Sequence, residues 1–152
     1  MSALLANVSC VAVGGRAIVI EGAPGSGKSS LALALIDRGA DLVGDDGIMV
    51  ESRGDLAMAA PPPNTAGKIE IRNVGIVDMP AREAPIALVI ALDAKAARFP
   101  LSLDHRSIAG VAIPCLPFRP GDAIQALRAE YALEKHGLSL PLPASRGAKV
   151  KQ

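Results

Sequence analysis

The sequence predicts an α/β fold in which a mixed β-sheet carries few helices. Three observations lead to this prediction. A short apolar strand, a glycine-rich loop and a helical pattern follow one another between residues 17 and 39. After them the apolar runs are short and separated by Gly, Pro and Asp, which is typical of strands. An amphipathic helical pattern returns only at residues 123–136. Because strands do not alternate regularly with helices, the sheet is expected to be mixed rather than wholly parallel.

The first elements surround the glycine-rich loop. Residues 8–13 and 16–20 predict a hairpin that turns at Gly14-Gly15. Residues 29–38 contain strong helix formers with no internal Gly or Pro, and Gly39 stands where a helix commonly ends. The short strand Leu42-Val43 then ends at the pair Asp45-Asp46.

The remaining elements follow from alternation and from turn residues. The run 68–72 alternates polar and apolar side chains, whereas the run 86–92 is continuously apolar and predicts a strand buried on both faces. Asp122 is predicted to cap the second helix, which Gly137 ends. That helix is predicted to carry Ile124, Leu127 and Tyr131 along one side. Other short strands are predicted at residues 48–50, 56–59, 74–79 and 108–114, with a break at the prolines of residues 61–63.

Length and charge narrow the range of functions. A chain of 152 residues predicts one domain, here placed at residues 1–137, followed by a flexible tail at residues 138–152. The net charge is only +1, with no long basic run, no Trp, one Tyr and two Phe, so a nucleic-acid partner is not expected. No signal-peptide pattern and no membrane-length apolar run are present, which predicts a cytoplasmic protein without a membrane partner. Cys10 and Cys115 are interpreted as small buried hydrophobic residues rather than a disulfide pair.

The glycine-rich loop carries the clearest chemical signal. Residues 22–29 read GAPGSGKS and fit the phosphate-binding pattern G-x-x-x-x-G-K-[ST]. Such a loop directs backbone N–H groups into one concavity, and the following helix adds its positive N-terminal end. Lys28 is expected to reach the β- and γ-phosphates of ATP, and the Ser29 hydroxyl to ligate Mg²⁺. The predicted nucleotide-binding residues are Gly22, Ala23, Pro24, Gly25, Ser26, Gly27, Lys28 and Ser29.

Three further segments point to one family. Residues 38–46 read RGADLVGDD, residues 70–78 read EIRNVGIVD, and residues 98–100 read RFP. Together with the phosphate loop, they resemble the HPr kinase/phosphorylase family over residues 9–121. The resemblance implies a fold related to phosphoenolpyruvate carboxykinase, in a short form that consists of the catalytic domain alone. It also implies an oligomer that phosphorylates a serine of HPr, the small phosphocarrier of the sugar phosphotransferase system, and removes that phosphate by phosphorolysis.

The resemblance also implies a role for each matching residue. Asp46 would be the general base for the substrate serine, and Asp45 would be the second carboxylate that tunes its protonation. Ser29 and Glu70 would hold Mg²⁺, which prefers oxygen ligands. Lys28 and Arg98 would neutralise charge on the transferring phosphoryl group.

Three positions depart from the family pattern. Asn7 stands where the family has a histidine, and asparagine cannot exchange protons near neutral pH. Asn73 replaces a glycine, although asparagine tolerates the left-handed backbone better than most residues. The stretch 117–122 ends in Asp122 where the family has arginine, and this negative charge would repel a phosphate ligand.

Two other functions remain open at the sequence level. A small-molecule kinase or NTPase would use Asp93, which follows the apolar strand 86–92, as its metal ligand in place of Glu70. A nucleotide-binding regulator without catalysis would explain Asn7. Taken without the resemblance, the two aspartates also fit a solvated turn, Glu70 an exposed strand position and Arg98 a surface charge. His105 and His136 have no metal-ligand spacing and are interpreted as surface residues.

Overall fold

The computed structural model describes residues 2–140, which contain eleven strands and two helices. The strands are β1 (Ser2–Ala6), β2 (Ser9–Val13), β3 (Arg16–Glu21), β4 (Asp41–Gly44), β5 (Gly47–Arg53), β6 (Leu56–Ala60), β7 (Lys68–Ile71), β8 (Gly75–Asp78), β9 (Ala84–Leu92), β10 (Asp104–Ile108) and β11 (Val111–Phe118). The helices are α1 (Lys28–Asp37) and α2 (Gln125–His136).

Nine of these strands form one mixed sheet around the central strand β9. Along the main path the order is β1-β5-β6-β9-β3-β2-β4, while β11 pairs with β9 and β10 pairs with β11. β9 runs parallel to β3 and β11 and antiparallel to β6. The mixed sheet with few helices predicted from the sequence is confirmed. The strands β7 and β8 form a separate two-stranded hairpin.

One hairpin of the main sheet was predicted from the sequence and another was not. The predicted hairpin β2–β3 is present and turns at Gly14-Gly15, whose φ angles are 60° and 91°. The predicted strand at residues 108–114 is wrong, because a turn at Ala109-Gly110 divides it between β10 and β11. Both turn residues have positive φ, at 50° and 80°. Alanine rarely adopts this conformation, so Ala109 gave no turn signal.

The helix α1 ends as its sequence predicts. Gly39 has a φ of 112°, and its N–H donates to the carbonyl of Ile36 while the N–H of Ala40 donates to that of Leu35. This pair of hydrogen bonds is the Schellman arrangement, which favours glycine at the left-handed position. Leu31, Ala32 and Leu35 are the buried residues of α1.

The buried face of α2 differs from the predicted one. The helix begins at Gln125 rather than residue 123, although the Asp122 carboxylate does accept the N–H of Ile124 at 3.1 Å. Ile124 and Tyr131 are 54% and 64% exposed, so the predicted apolar side is wrong. Small side chains let α2 approach α1 closely, and the Arg38–Glu130 ion pair of 2.9 Å joins the two helices. The buried residues of α2 are Ala126, Ala129, Ala132 and Leu133.

The core lies on both faces of the main sheet. Along β3, Ile18 and Ile20 belong to the cluster that includes α1 and α2, whereas Ala17 and Val19 belong to a second cluster. This division follows from the two-residue alternation of side chains along a strand. The second cluster also contains Cys10 and Cys115, which are free thiols, as predicted. Burial raises the pKa of both thiols.

The packed part of the chain continues beyond residue 137. The Leu138 N–H donates to the carbonyl of Ala87, and the Leu138 carbonyl accepts from Arg16 at 2.9 Å. Leu140 also packs against the core. The first three residues of the predicted flexible tail are therefore part of the packed structure, and its remainder, residues 141–152, lies outside the described residues. Within residues 2–140, no helix has the length and apolar character needed to cross a membrane.

Candidate active site

The phosphate loop connects the end of β3 to the start of α1. Gly27, in the left-handed region with a φ of 107°, precedes the helix. Within the described chain, no side chain caps this N-terminus and no acidic residue lies in the first turn. The N–H groups that begin an α-helix have no partners within the helix, so they can bind an anion here. The loop therefore fits the phosphates of a nucleotide.

The loop backbone leaves little space for a larger side chain at Gly22. A Cβ atom at Gly22 would lie 2.5 Å from the Ser26 Oγ and 3.1 Å from the Leu92 Cβ. The Ser26 N–H donates to the carbonyl of Ala23 at 3.0 Å and closes a turn within the loop. The Lys28 Nζ donates to the carbonyls of Gly22 and Ala23, at 3.0 and 3.3 Å. The lysine thus lies over the loop, with its ammonium group beside the anion-binding amides.

A cavity of about 830 Å³ opens in front of this loop. Its volume falls within the range of small-molecule binding sites. It lies between the phosphate loop, the segment after β4, the start of β2 and the hairpin β7–β8. The residues that line it are Asn7, Ser9, Gly22, Pro24, Gly25, Gly27, Lys28, Ser29, Ser30, Leu33, Asp45, Asp46, Glu70, Ile71, Arg72 and Asn73.

Asp45 connects the surrounding elements through its carboxylate. Its Oδ1 accepts the hydroxyl of Ser29 at 2.7 Å and that of Ser9 at 2.9 Å. Its Oδ2 accepts the backbone N–H of Glu70 at 3.2 Å. One carboxylate therefore joins α1, β2 and the hairpin β7–β8 at the end of β4.

Asp46, in contrast, is exposed at the same cavity. Its φ of 65° is unusual for a residue other than glycine, although aspartate is among the residues that tolerate it best. The Asn7 N–H donates to the Asp46 carbonyl at 3.1 Å. This bond fixes the backbone of Asp46 while its carboxylate remains accessible from the cavity.

The oxygen groups around the loop suit Mg²⁺. Ser29, Asp45 and Glu70 all line the cavity, and hydroxyl and carboxylate oxygens are the ligands this ion prefers. In the part of the chain that the structure describes, no cluster of three or more His, Cys, Asp or Glu side chains could hold a metal ion by itself. Such an ion would therefore share its ligands between the protein and the phosphate oxygens of a nucleotide, as Mg²⁺ commonly does.

Three other residues named in the sequence analysis lie outside the phosphate-loop cavity. Arg98 and Asp122 line a second cavity of about 600 Å³ beside α2, and neither lines the phosphate-loop cavity. Asp93 is exposed, its Oδ1 accepts the backbone N–H of Lys95 at 2.8 Å, and it does not line the phosphate-loop cavity. The role of a metal ligand at the phosphate loop therefore fits Glu70 better than Asp93. His105 is exposed, whereas His136 is half-buried at the second cavity.

Ser9 also lines this cavity, although it was not predicted as a site residue. A hydroxyl within the apolar run 8–13 was the available signal, because a buried polar group needs a hydrogen-bond partner. The run was interpreted only as a strand. Which partner the hydroxyl finds depends on how β2 lies beside the end of β4.

A mixed sheet with a phosphate loop at the start of α1, facing two aspartates across one cavity, defines a phosphate-loop domain. The sequence-family model of the HPr Serine kinase C-terminal domain matches residues 3–138, so the chain belongs to this family.

Similar proteins agree with this assignment. An HPr kinase/phosphorylase of Clostridium acetobutylicum is 37% identical over 136 residues, which cover 77% of this chain and 45% of the relative. Another, from Clostridium tetani, is 32% identical and aligns with 93% of this chain and 52% of its own length. The chain therefore spans about half the length of these relatives. The Hpr(Ser) kinase/phosphatase from Coxiella burnetii superposes with a TM-score of 0.72 at 26% identity, covering 87% of this chain and 92% of that one.

Proposed function

We propose that this chain is an ATP-dependent serine kinase that phosphorylates HPr or a related small phosphocarrier. The family and the names of its relatives support the reaction and the substrate. The observation that carries the proposal is the shared cavity of the phosphate loop and the two aspartates, with the Ser29 Oγ only 2.7 Å from the Asp45 Oδ1. Phosphate-binding groups and a carboxylate base are the parts that such a transfer needs.

The loop residues would bind and orient the nucleotide. The amides at the start of α1 and the Lys28 ammonium would hold the phosphates. Ser29 and Glu70 would hold Mg²⁺, which when bound would neutralise negative charge on the phosphates. Because the Ser29 hydroxyl donates a hydrogen bond to Asp45, the lone pairs of its oxygen remain available to a cation.

Asp46 is the proposed base. Its exposed carboxylate would accept the proton of the substrate serine as the serine oxygen bonds to the γ-phosphorus and the bond to the bridging oxygen breaks. Asp45 is already engaged in three hydrogen bonds, so we assign it to positioning rather than proton transfer. In phosphorolysis, an oxygen of inorganic phosphate would bond to the phosphorus of phosphoserine while the bond to the serine oxygen breaks. Asp46 would return its proton to that oxygen, and pyrophosphate would leave.

Asn7 favours a second candidate function, a regulator that binds nucleotide without transferring phosphate. Its side chain lines the cavity, where asparagine can bind by hydrogen bonds but cannot exchange a proton. This function predicts that ATP binds without turnover and that Asn7→His creates transfer. Transfer by the unmodified chain would exclude it.

The proposal also includes the cellular location and the oligomeric state of the protein. A kinase that uses ATP and acts on a phosphocarrier would work in the cytoplasm. The homo-oligomer implied by the resemblance stays a prediction, which light scattering of the purified chain would test. Arg98 does not line the phosphate-loop cavity, so its role in neutralising charge on the phosphoryl group stays a prediction, which the activity of Arg98→Ala tests.

The direct test is transfer of labelled phosphate from ATP to purified HPr, with mass spectrometry to locate the modified serine. We expect Asp46→Asn to reduce kcat by about 10²–10⁴-fold with little change in ATP affinity, because general-base catalysis contributes that much. Asp93→Asn is the matched control and should retain activity. Full transfer by Asp46→Asn would refute the proposed base, and the absence of transfer to any phosphocarrier would refute the proposed substrate.

A further inference from the structure

Ser9 is the only fully buried polar or charged residue in the part of the chain that the structure describes, with 1% exposure. It begins β2, whose next three residues are buried apolar side chains. A buried hydroxyl without a partner destabilises a fold, so its presence in a strand depends on the group that it contacts. That group is the Asp45 carboxylate, which accepts the Ser9 hydroxyl at 2.9 Å.

The contact lies where the pairing of β2 with β4 becomes irregular. The register between the two strands shifts between Cys10 and Val11, and Gly44, the partner of Cys10, is the last residue of β4. Beyond this point the chain leaves the sheet, and Asp45 has no strand partner in β2. The Ser9 hydroxyl therefore fixes the carboxylate where backbone pairing no longer fixes the chain.

Both serine hydroxyls donate to the same oxygen of Asp45. The Ser29 Oγ is 2.7 Å from Oδ1 and the Ser9 Oγ is 2.9 Å from it. Ser29 stands in the phosphate loop, whereas Ser9 stands in the sheet. Asp45 thus connects the predicted metal ligand to a buried strand.

We propose that Ser9 is a positioning residue for the metal-bound nucleotide. Its hydroxyl holds the Asp45 carboxylate, the carboxylate orients the Ser29 hydroxyl, and the oriented oxygen strengthens Mg²⁺ binding. The inference rests on the nucleotide site of the proposed function, but it does not depend on which protein is the substrate. Groups that orient metal ligands commonly change metal affinity by about ten- to a hundredfold.

The test compares the binding of a non-hydrolysable ATP analogue in Mg²⁺ and in EDTA by calorimetry. We expect Ser9→Ala to weaken binding by about tenfold in Mg²⁺ and to leave binding in EDTA unchanged. Cys10→Ala is the matched control, because it also removes one heavy atom from a buried residue of β2. Cys10 follows Ser9 directly, so its side chain points to the opposite face of the sheet. Thermal melting of each variant reports any general loss of stability.

A double-mutant cycle separates positioning from packing. In the Asp45→Ala background, Ser9→Ala should cause no further loss of Mg²⁺-dependent binding. Four results would overturn the proposal: unchanged binding by Ser9→Ala, equal losses in Mg²⁺ and EDTA, an equal loss in Cys10→Ala, or a wild-type chain whose binding does not respond to Mg²⁺. Failure of the kinase assay with HPr would leave these measurements interpretable, since none of them uses a protein substrate.

Discussion

Single residues in the phosphate loop combine chemical and steric requirements. Lys28 and Ser29 supply charge and a hydroxyl, while Gly22 lets the backbone pass close to Ser26 and Leu92. The motif predicted these roles because its spacing reflects backbone geometry. Asp45 is enclosed by hydrogen bonds and Asp46 is exposed, a difference that could not be predicted because the two residues are identical neighbours in the sequence.

Gly22→Ala is expected to weaken nucleotide binding by about tenfold and to destabilise the fold by about 1–3 kcal/mol. The added methyl group would overlap the Ser26 Oγ and crowd Leu92, and such overpacking typically has this cost. Calorimetry with ATP and urea denaturation measure the two effects. Gly47→Ala is the control, because the nearest atoms would be 3.6 Å from its new methyl group. Equal effects of the two substitutions would contradict the steric explanation.

At the scale of elements, periodicity predicted where strands and helices occur better than which face they bury. The strand β9 was predicted from its apolar run, and the hairpin β2–β3 from its glycines. For α2 the large apolar residues indicated the wrong side. Close approach of α1 makes small side chains the buried ones, and the sequence of α2 alone cannot reveal the distance to another helix.

Substitutions in α2 test which face is buried. Ala129→Leu should destabilise the chain by about 1–3 kcal/mol, because Ala129 is fully buried and a larger side chain would force α2 away from its neighbours. Tyr131→Ala should change stability by about 0.5 kcal/mol or less, since Tyr131 is 64% exposed. Urea denaturation of both variants provides the comparison. A larger loss of stability in Tyr131→Ala than in Ala129→Leu would support the buried face predicted from the sequence.

The whole molecule depends on contacts between distant segments. Residues 138–140, predicted to begin a flexible tail, return to the sheet through the Leu138 backbone and through packing of Leu138 and Leu140. Composition suggested a tail because prolines and basic residues follow this point. The partners that hold Leu138 are Ala87 and Arg16, which lie far from it in the sequence.

Two shortened chains would locate the end of the packed domain. A chain that ends at Gly137 should be less stable than one that ends at Leu140 by about 2 kcal/mol, because it loses two partly buried leucines and the hydrogen bonds of Leu138. Urea denaturation of the two purified chains measures the difference directly. Equal stability would support the predicted boundary after residue 137.

The sequence by itself determined the features that depend on local geometry and spacing. These are the phosphate loop, the glycine end of α1, the buried strand β9 and the family. The tertiary structure decided which distant groups meet. Ser9, Ser29 and Asp45 meet in the folded chain, whereas Asp93 and Arg98 lie outside the phosphate-loop cavity. The face of α2 that carries three alanines is the buried one. The physical reason is that a local pattern limits backbone conformation, whereas contacts between distant residues depend on how the whole sheet is paired and packed.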